Sequence, residues 1–247
     1  MGSRRFGINF GDKSLNFIAD RVVPINQKKP PFWRTNTPLN QHLVNMQHIK
    51  AENIKYFVDY INKEKFVFFS GYPNIIYTFC RLTENLGYKI SHPPKFVFTG
   101  AEKLLDNQKS CIERVLNCVV TEQYGFSEGA ANSSKCEHGL FHEDFEYGHI
   151  EPTNIKKISE TTFNGEILAT GFSNYGMPLI RYNVGDNATW STKKCVCGRK
   201  SDVILSIDGR NEDVIITPEG TTLQFHGYIN WAKWFSGLLE DKIIHQR

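Results

Sequence analysis

Residues 118–129, CVVTEQYGFSEG, crowd several reactive side chains into one short stretch. A β-branched run enters. Then Tyr124, Gly125, Phe126, Ser127, Glu128 and Gly129 set an aromatic ring, two glycines, a hydroxyl and a carboxylate side by side. Taken alone, Glu128 reads most simply as an acid at a helix start, favoured by the helix dipole. A second group is built from cysteine and histidine. CEHG offers Cys136 and His138, and CVCG offers Cys195 and Cys197. Three thiols and one imidazole are a ligand set for a structural Zn2+. The C-x-H and C-x-C spacings are tighter than the usual pairs, and Gly139 and Gly198 supply the turns. His142 is a substitute ligand. Two readings compete with zinc: three reduced cysteines near a loop, or a zinc ribbon on nucleic acid. Cys80, Cys111 and Cys118 lie in apolar or amphipathic stretches and read as small core residues.

The elements that must position these residues alternate. KAENIKYFVDYINKEK (50–65) sets Ile54, Phe57, Val58 and Ile61 on one helical face. FVFFSGYP (66–73) is a strand closing on a Gly/Pro turn, and NIIYTFCRLTENLG is a helix stopped by Gly87. PKFVFTGAE, LLDNQKSCIERVLN and CVVTEQYGFSEG continue as strand, helix and strand. This predicts an α/β fold with a parallel sheet covered by helices. Ligands of such sheets sit beyond the carboxyl ends of the strands, here at SGYP, TGAE and YGFSEG. From about residue 140, FEYGHIEP, GEILATGF, IRYNVGDNATWS and VILSIDG predict a β-rich subdomain. EDVIITPEGTTL predicts a hairpin turning at Pro218-Glu219-Gly220, and YINWAKWFSGLLEDKIIHQR an amphipathic helix. Nearer the start, RVVPI is expected as a strand and KPPFW as an extended segment.

A chain of 247 residues can bury one large domain, or one domain and a fragment. A net charge of +3 with scattered basic residues argues against a nucleic-acid binder. No apolar run approaches the ~20 residues that span a bilayer, and MGSRRFGINF lacks the apolar region of a signal peptide. The expected location is cytoplasmic.

Six motifs then occur in a telling order: FVFTGAEKLL, EQYGFSEG, CEHG, GEILATGFSNYGMPLIRYNVGD, CVCGR and IDGRNEDVII. Together they resemble the phenylacetate–coenzyme A ligase branch of the adenylate-forming enzymes, nearest to CapK-like members linked to capsule and exopolysaccharide synthesis. The resemblance implies ATP-dependent activation of a small carboxylic acid as an acyl-adenylate, with transfer to coenzyme A or another acceptor. It implies that Gly100, Ala101 and Glu102 line the adenine of ATP or AMP, that Tyr124 stacks on it, and that Gly125 lets the nucleotide approach. Ser127 would meet phosphate oxygens and Glu128 would hold Mg2+, whose preference is one or two carboxylates plus phosphate and water. Asp186 would accept from the ribose hydroxyls, and Arg210 would reach the nucleotide near a hinge. Tyr72 and Tyr77 are candidate walls of the acyl pocket, or core aromatics.

The chain also departs from that pattern. No Ser/Thr/Gly-rich phosphate loop precedes these motifs, Asn183 stands where relatives have Arg in RYRTGD, and Glu212 stands near the usual hinge Asp. The expected division is a partial AMP-binding large domain over 1–208, α/β to about 135 and β-rich over 136–208. Residues 209–247 would form a hinge and the start of a truncated C-terminal domain. The chain then reads as a partial enzyme completed by a separate chain that supplies the N-terminal part, or as a gene fragment. The competing class is a non-catalytic, zinc-stabilised module that binds a partner through an exposed sheet edge.

Overall fold

Short apolar runs become strands, and the apolar-striped segments between them become helices on one side of the sheet. A computed structural model describes residues 6–19 and 22–210, together with two further short strands. The elements in chain order are β1 (Ser14–Ile18), β2 (Trp33–Asn36), β3 (Gln41–Asn45), α1 (Ile54–Glu64), β4 (Phe68–Gly71), α2 (Pro73–Asn85), β5 (Phe96–Thr99), α3 (Asp106–Leu116) and β6 (Val119–Gly125). β7 (Asn132–Lys135), β8 (Phe141–Glu143), β9 (Gly148–Lys157), β10 (Thr162–Gly171), β11 (Tyr182–Ser191) and β12 (Val203–Arg210) follow. β13 (Val214–Ile216) and β14 (Thr222–Gln224) pair antiparallel, as a hairpin over this segment requires.

The helices begin and end where local chemistry dictates. Pro73 opens α2, where its missing N–H costs nothing. α1 ends at Lys65, whose left-handed conformation returns its N–H to the Ile61 carbonyl. Leu15, Phe17, Phe69, Val97 and Val120 on the sheet pack with Phe57, Ile61, Ile76, Phe79, Ile112 and Leu116 on the helices. Each such side chain contributes about 1.5–3 kcal/mol on burial, so this layer holds the α/β half together.

The sheet runs in the order β2-β3-β1-β4-β5-β6-β7-β8-β12-β11-β10-β9. β3, β1, β4, β5 and β6 are parallel neighbours, and the rest of the sheet pairs antiparallel. Strand β6 belongs to both halves. Its first four residues pair parallel with β5, from Phe96↔Val119 to Thr99↔Glu122. Its last three, Gln123 to Gly125, pair antiparallel with β7. Tyr124 therefore lies where the chain leaves the α/β layer for the β-rich one.

That second half curls around its own core of Ala130, Phe141, Ile150, Ile167, Ala188, Trp190 and Ile204. A side chain at Gly148 would put Cβ 2.0 Å from the Ala130 carbonyl oxygen, so the start of β9 must be bare to lie against the turn after β6.

The expected fold class is the observed one: a helix-flanked, largely parallel sheet followed by an antiparallel, β-rich region. Some local expectations differ. Residues 22–25 of RVVPI form bends and a turn rather than a strand. The first strand is instead SLNFI, in which Ser14 and Asn16 alternate with Leu15 and Phe17. β7 and β8 are polar and short, and little marks them in the sequence. The expected helix over 228–247 lies outside the described residues.

Candidate nucleotide face and metal cluster

The three strand ends singled out by sequence lie in line. Gly71, Thr99 and Glu122 are registered across β4, β5 and β6, and the Gly100 N–H reaches the Gly71 carbonyl at 3.3 Å. SGYP, TGAE and YGFSEG thus open on one edge of the sheet. Within TGAE, Ala101 has φ +65°, a left-handed conformation that costs a non-glycine residue about 1–2 kcal/mol. Such strain collects at binding sites. Glu122 pairs with Lys135 on β7 and accepts from the Leu104 N–H at 3.3 Å, tying the TGAE loop to the root of β7.

No helix follows Glu128, which removes the helix-start reading of its carboxylate. The chain turns instead, with the Gly129 N–H on the Phe126 carbonyl, and enters β7. Two tyrosines then join this turn to β11. The Tyr124 hydroxyl donates to Asp186 Oδ2 at 2.6 Å, and the Tyr182 hydroxyl donates to Glu128 Oε1 at 3.1 Å. Each segment thus gives one phenol and one carboxylate to the other. The pairing is possible because the β-rich half curls: β6 and β11 are four places apart in strand order, yet their side chains meet. Tyr124 is half-buried, with Phe126 edge-on at 6.0 Å, while Ser127 and Glu128 are exposed.

Asp186 owes its position to an irregularity in β11. Glu166 faces Asn187 and Leu168 faces Asn183, so Val184, Gly185 and Asp186 bulge from the ladder where β10 has only Ile167. Gly185 takes φ +79° there, and its N–H is held by Asn183 Oδ1 at 2.9 Å. Bulges of this kind re-aim side chains. Asn183 also reaches Glu166 Oε2 at 3.3 Å, so the residue standing in place of arginine shapes the bulge. On the other side of β11, Asp186 is registered with Arg210 of β12. Backbone pairing alone thus sets these two sequence-predicted residues opposite each other. Tyr72 and Tyr77 pack half-buried against the α/β core, and Tyr77 accepts from Arg81 at 3.3 Å.

The cysteine–histidine group also assembles, with one change of member. Cys136, His142, Cys195 and Cys197 bring their ligand atoms within 4.8 Å of one another. His138 is not among them. It sits at the tip of the Cys136–Gly139 turn, its side chain 46% exposed and its Nε2 4.0 Å from Glu137. His142 is buried because β8 alternates: Phe141 enters the β-rich core and His142 turns to the opposite side.

The geometry suits a tetrahedral metal. Thiolates at ~2.3 Å from Zn2+ should lie about 3.8 Å apart, and Cys136 Sγ is 3.8 Å from Cys195 Sγ. His142 Nε2 is 3.4 Å from Cys197 Sγ, and its Nδ1 is 3.4 Å from Ser201 Oγ. A hydroxyl at Nδ1 is the outer partner that leaves Nε2 for a metal. Two matching turns present the thiols, closed by Gly139 N–H on Cys136 and Gly198 N–H on Cys195. The Cys197 thiol is held below its ordinary pKa: burial opposes ionisation but is outweighed by the Arg199 backbone N–H and the neighbouring thiols. In the same cluster the Cys195 thiol is raised: the Cys197 backbone N–H lowers it, but burial and the bonds to Cys197 and Cys136 outweigh that. Burial pushes Cys80 far up and Cys118 to about 12, and Cys111 is also raised by burial. These are inert core thiols.

Among the described residues, no helix is long and apolar enough to cross a membrane. No family model matches the chain. Protein CapK of Staphylococcus aureus is 33% identical over 214 residues, which is 86% of this chain and 46% of that protein. A 2-hydroxyisobutyryl-CoA ligase in the postadenylation state superposes with a TM-score of 0.67 at 15% identity, over 94% of this chain and 50% of that one. The anthranilate CoA ligase AuaEII in complex with anthranoyl-AMP gives 0.53 at 12% identity, over 90% of this chain and 45% of that one. The chain spans about half the length of the relatives it matches. The chain is thus similar in sequence to about half of CapK and shares its fold with about half of these CoA ligases.

Proposed function

We propose that the chain forms the nucleotide-facing part of an enzyme that activates a carboxylic acid with ATP. The observation that carries this reading is the reciprocal pair of tyrosine–carboxylate bonds, which brings YGFSEG and RYNVGD to one face. In the reaction, a carboxylate oxygen of the substrate attacks the α-phosphorus of ATP. The bond to the β-phosphate bridge breaks and pyrophosphate leaves. In the second step a thiol such as coenzyme A attacks the acyl carbon, AMP departs, and the thiol proton passes to solvent.

Each residue has a part in this. Gly100, Ala101 and Glu102 line the adenine, and Tyr124 offers its ring face while its hydroxyl is held by Asp186. Gly125 leaves room for the base. Asp186 accepts from the ribose hydroxyls, with Arg210 opposite it in register. Ser127 binds phosphate oxygens. Glu128, steadied by Tyr182, holds Mg2+; the ion, when bound, neutralises charge building on the phosphates. Fixed donors and charges at that point stabilise the transition state without a side-chain nucleophile. Cys136, His142, Cys195 and Cys197 hold a structural Zn2+, whose four-ligand shell leaves no open position for chemistry.

The division at residue 208, with the hinge beyond it, and a setting in capsule or exopolysaccharide assembly belong to the same reading. So does a cytoplasmic location, which suits six cysteines that are all free. The test is acid-dependent exchange of labelled pyrophosphate into ATP with Mg2+. It is run on this chain and after fusion to the part of its relatives' length that it does not span. Exchange that needs a carboxylic acid and is lost in Glu128→Gln is the expected result. No exchange in either form would overturn the proposal in favour of a non-catalytic module.

A further inference from the structure

We infer that the metal cluster is the staple of a seam in the β-rich half, and that loading it sets the nucleotide face from a distance. This rests on the reading of that face given above. The seam lies between β8 and β12. These strands share one registered pair, Ile204↔Phe141, whereas β6–β7 and β7–β8 share three pairs each. In strand order, the seam separates the two walls of the face. Tyr124 and Glu128 lie on the side of β6, β7 and β8, and Asp186 and Arg210 lie on the side of β12 and β11.

The four ligands straddle the seam two by two. Cys136, in the turn before β8, and His142, on β8, come from one side. Cys195 and Cys197, in the loop between β11 and β12, come from the other. Cys136, Cys195 and Val203 are buried together, with Leu140 and Cys197 packed against them, which keeps water from the bonds. A metal there replaces the missing ladder hydrogen bonds with four covalent-strength contacts across the gap. Without it, the seam keeps one registered pair, the His142–Ser201 contact, the Arg199–Asp144 ion pair at 4.0 Å and the core beneath. β8 and β12 can then part, and the curl that brings Tyr124 to Asp186 relaxes. None of the four is among the residues of the proposed nucleotide face. They are positioning residues, and the group they take is a divalent cation of the zinc or cobalt class.

The experiment compares the chain loaded with Co2+, loaded with Zn2+, and stripped by chelator. Thiolate-to-Co2+ absorption at one metal per chain reports loading. Hydrogen exchange of 141–143 and 203–207 reports the seam, and calorimetry reports AMP affinity. Loading is expected to slow exchange at both strands and to tighten AMP binding about tenfold, toward the low end of coupling between two sites. His142→Ala should resemble the stripped protein, and Cys118→Ser, a thiol outside the group, should resemble the loaded one. Absence of stoichiometric metal overturns the inference, as does equal exchange with and without metal. Equal AMP affinity with slowed exchange overturns the coupling and leaves the nucleotide reading standing. If AMP fails to bind in every state, the reading of the face has failed, while the exchange result still decides the staple.

Discussion

Replacing Tyr124 by Phe and by Ala separates two things the side chain is proposed to do. Tyr124→Phe keeps the ring and removes the hydroxyl that donates to Asp186 at 2.6 Å. A hydrogen bond to a charged group is worth about 1.5–3 kcal/mol. Both partners here are only half-buried, so the lower end applies, and part of that is recovered by water. A loss near 1 kcal/mol in holding Asp186 ready for the ribose corresponds to roughly fivefold weaker AMP binding. Tyr124→Ala also removes the surface for the base, and base–aromatic stacking adds about 1–3 kcal/mol. The combined effect is on the order of 100-fold. Isothermal titration with AMP measures both, and a urea unfolding curve for each variant checks that the fold survives. In an Asp186→Ala background this bond is already gone, so Tyr124→Phe should then cost less, a coupling that a double-mutant cycle reads directly. Equal losses for Phe and Ala would refute the stacking role. Additive losses in the cycle would refute the proposed link between Tyr124 and Asp186.

Further outcomes follow from other parts of the molecule. Gly148→Ala drives Cβ onto the Ala130 carbonyl oxygen at 2.0 Å, and backbone cannot yield as a flexible side chain would. It should cost about 3 kcal/mol, at the upper end of overpacking, and lower the denaturant midpoint accordingly. His138→Ala should keep full metal stoichiometry while His142→Ala loses it, as metal analysis after gel filtration will show. Stability should fall on acidification. Burial holds His42 and His48 below the ordinary histidine pKa, so below about 6.5 the unfolded chain takes up protons that the folded chain refuses. Their contribution is complete above that value and is lost as pH falls toward the lowered folded pKa. The urea midpoint should drop between pH 7.5 and 5.5, and less steeply in His42→Gln with His48→Gln. An unchanged midpoint would contradict this.

Much of the fold was readable in advance because period and punctuation agreed. Ile54, Phe57, Val58 and Ile61 marked one face of α1, and all four are buried. The glycine-ended strands β4, β5 and β6 did align their loops at one edge. Where reading failed, the deciding forces were tertiary. SLNFI alternates as a strand should, yet Ser14 and Asn16 sit buried in the sheet, so polarity hid it. The bulge that aims Asp186 arises from pairing with β10, which no local pattern encodes. Tyr182 lies inside a quoted motif, yet nothing local marks its role, which lies in reaching Glu128, 54 residues away. The choice between His138 and His142 turned on which side of β8 faces the thiols, a matter of strand phase rather than spacing.

The most direct test of the central claim is a crystal structure of the metal-loaded chain with AMP at saturating concentration. The predicted complex has the adenine against the Tyr124 ring, flanked by Gly100–Glu102, and the ribose hydroxyls within hydrogen-bonding distance of Asp186. AMP bound elsewhere, or absent from the face between β6 and β11 in crystals soaked with excess AMP, would contradict it.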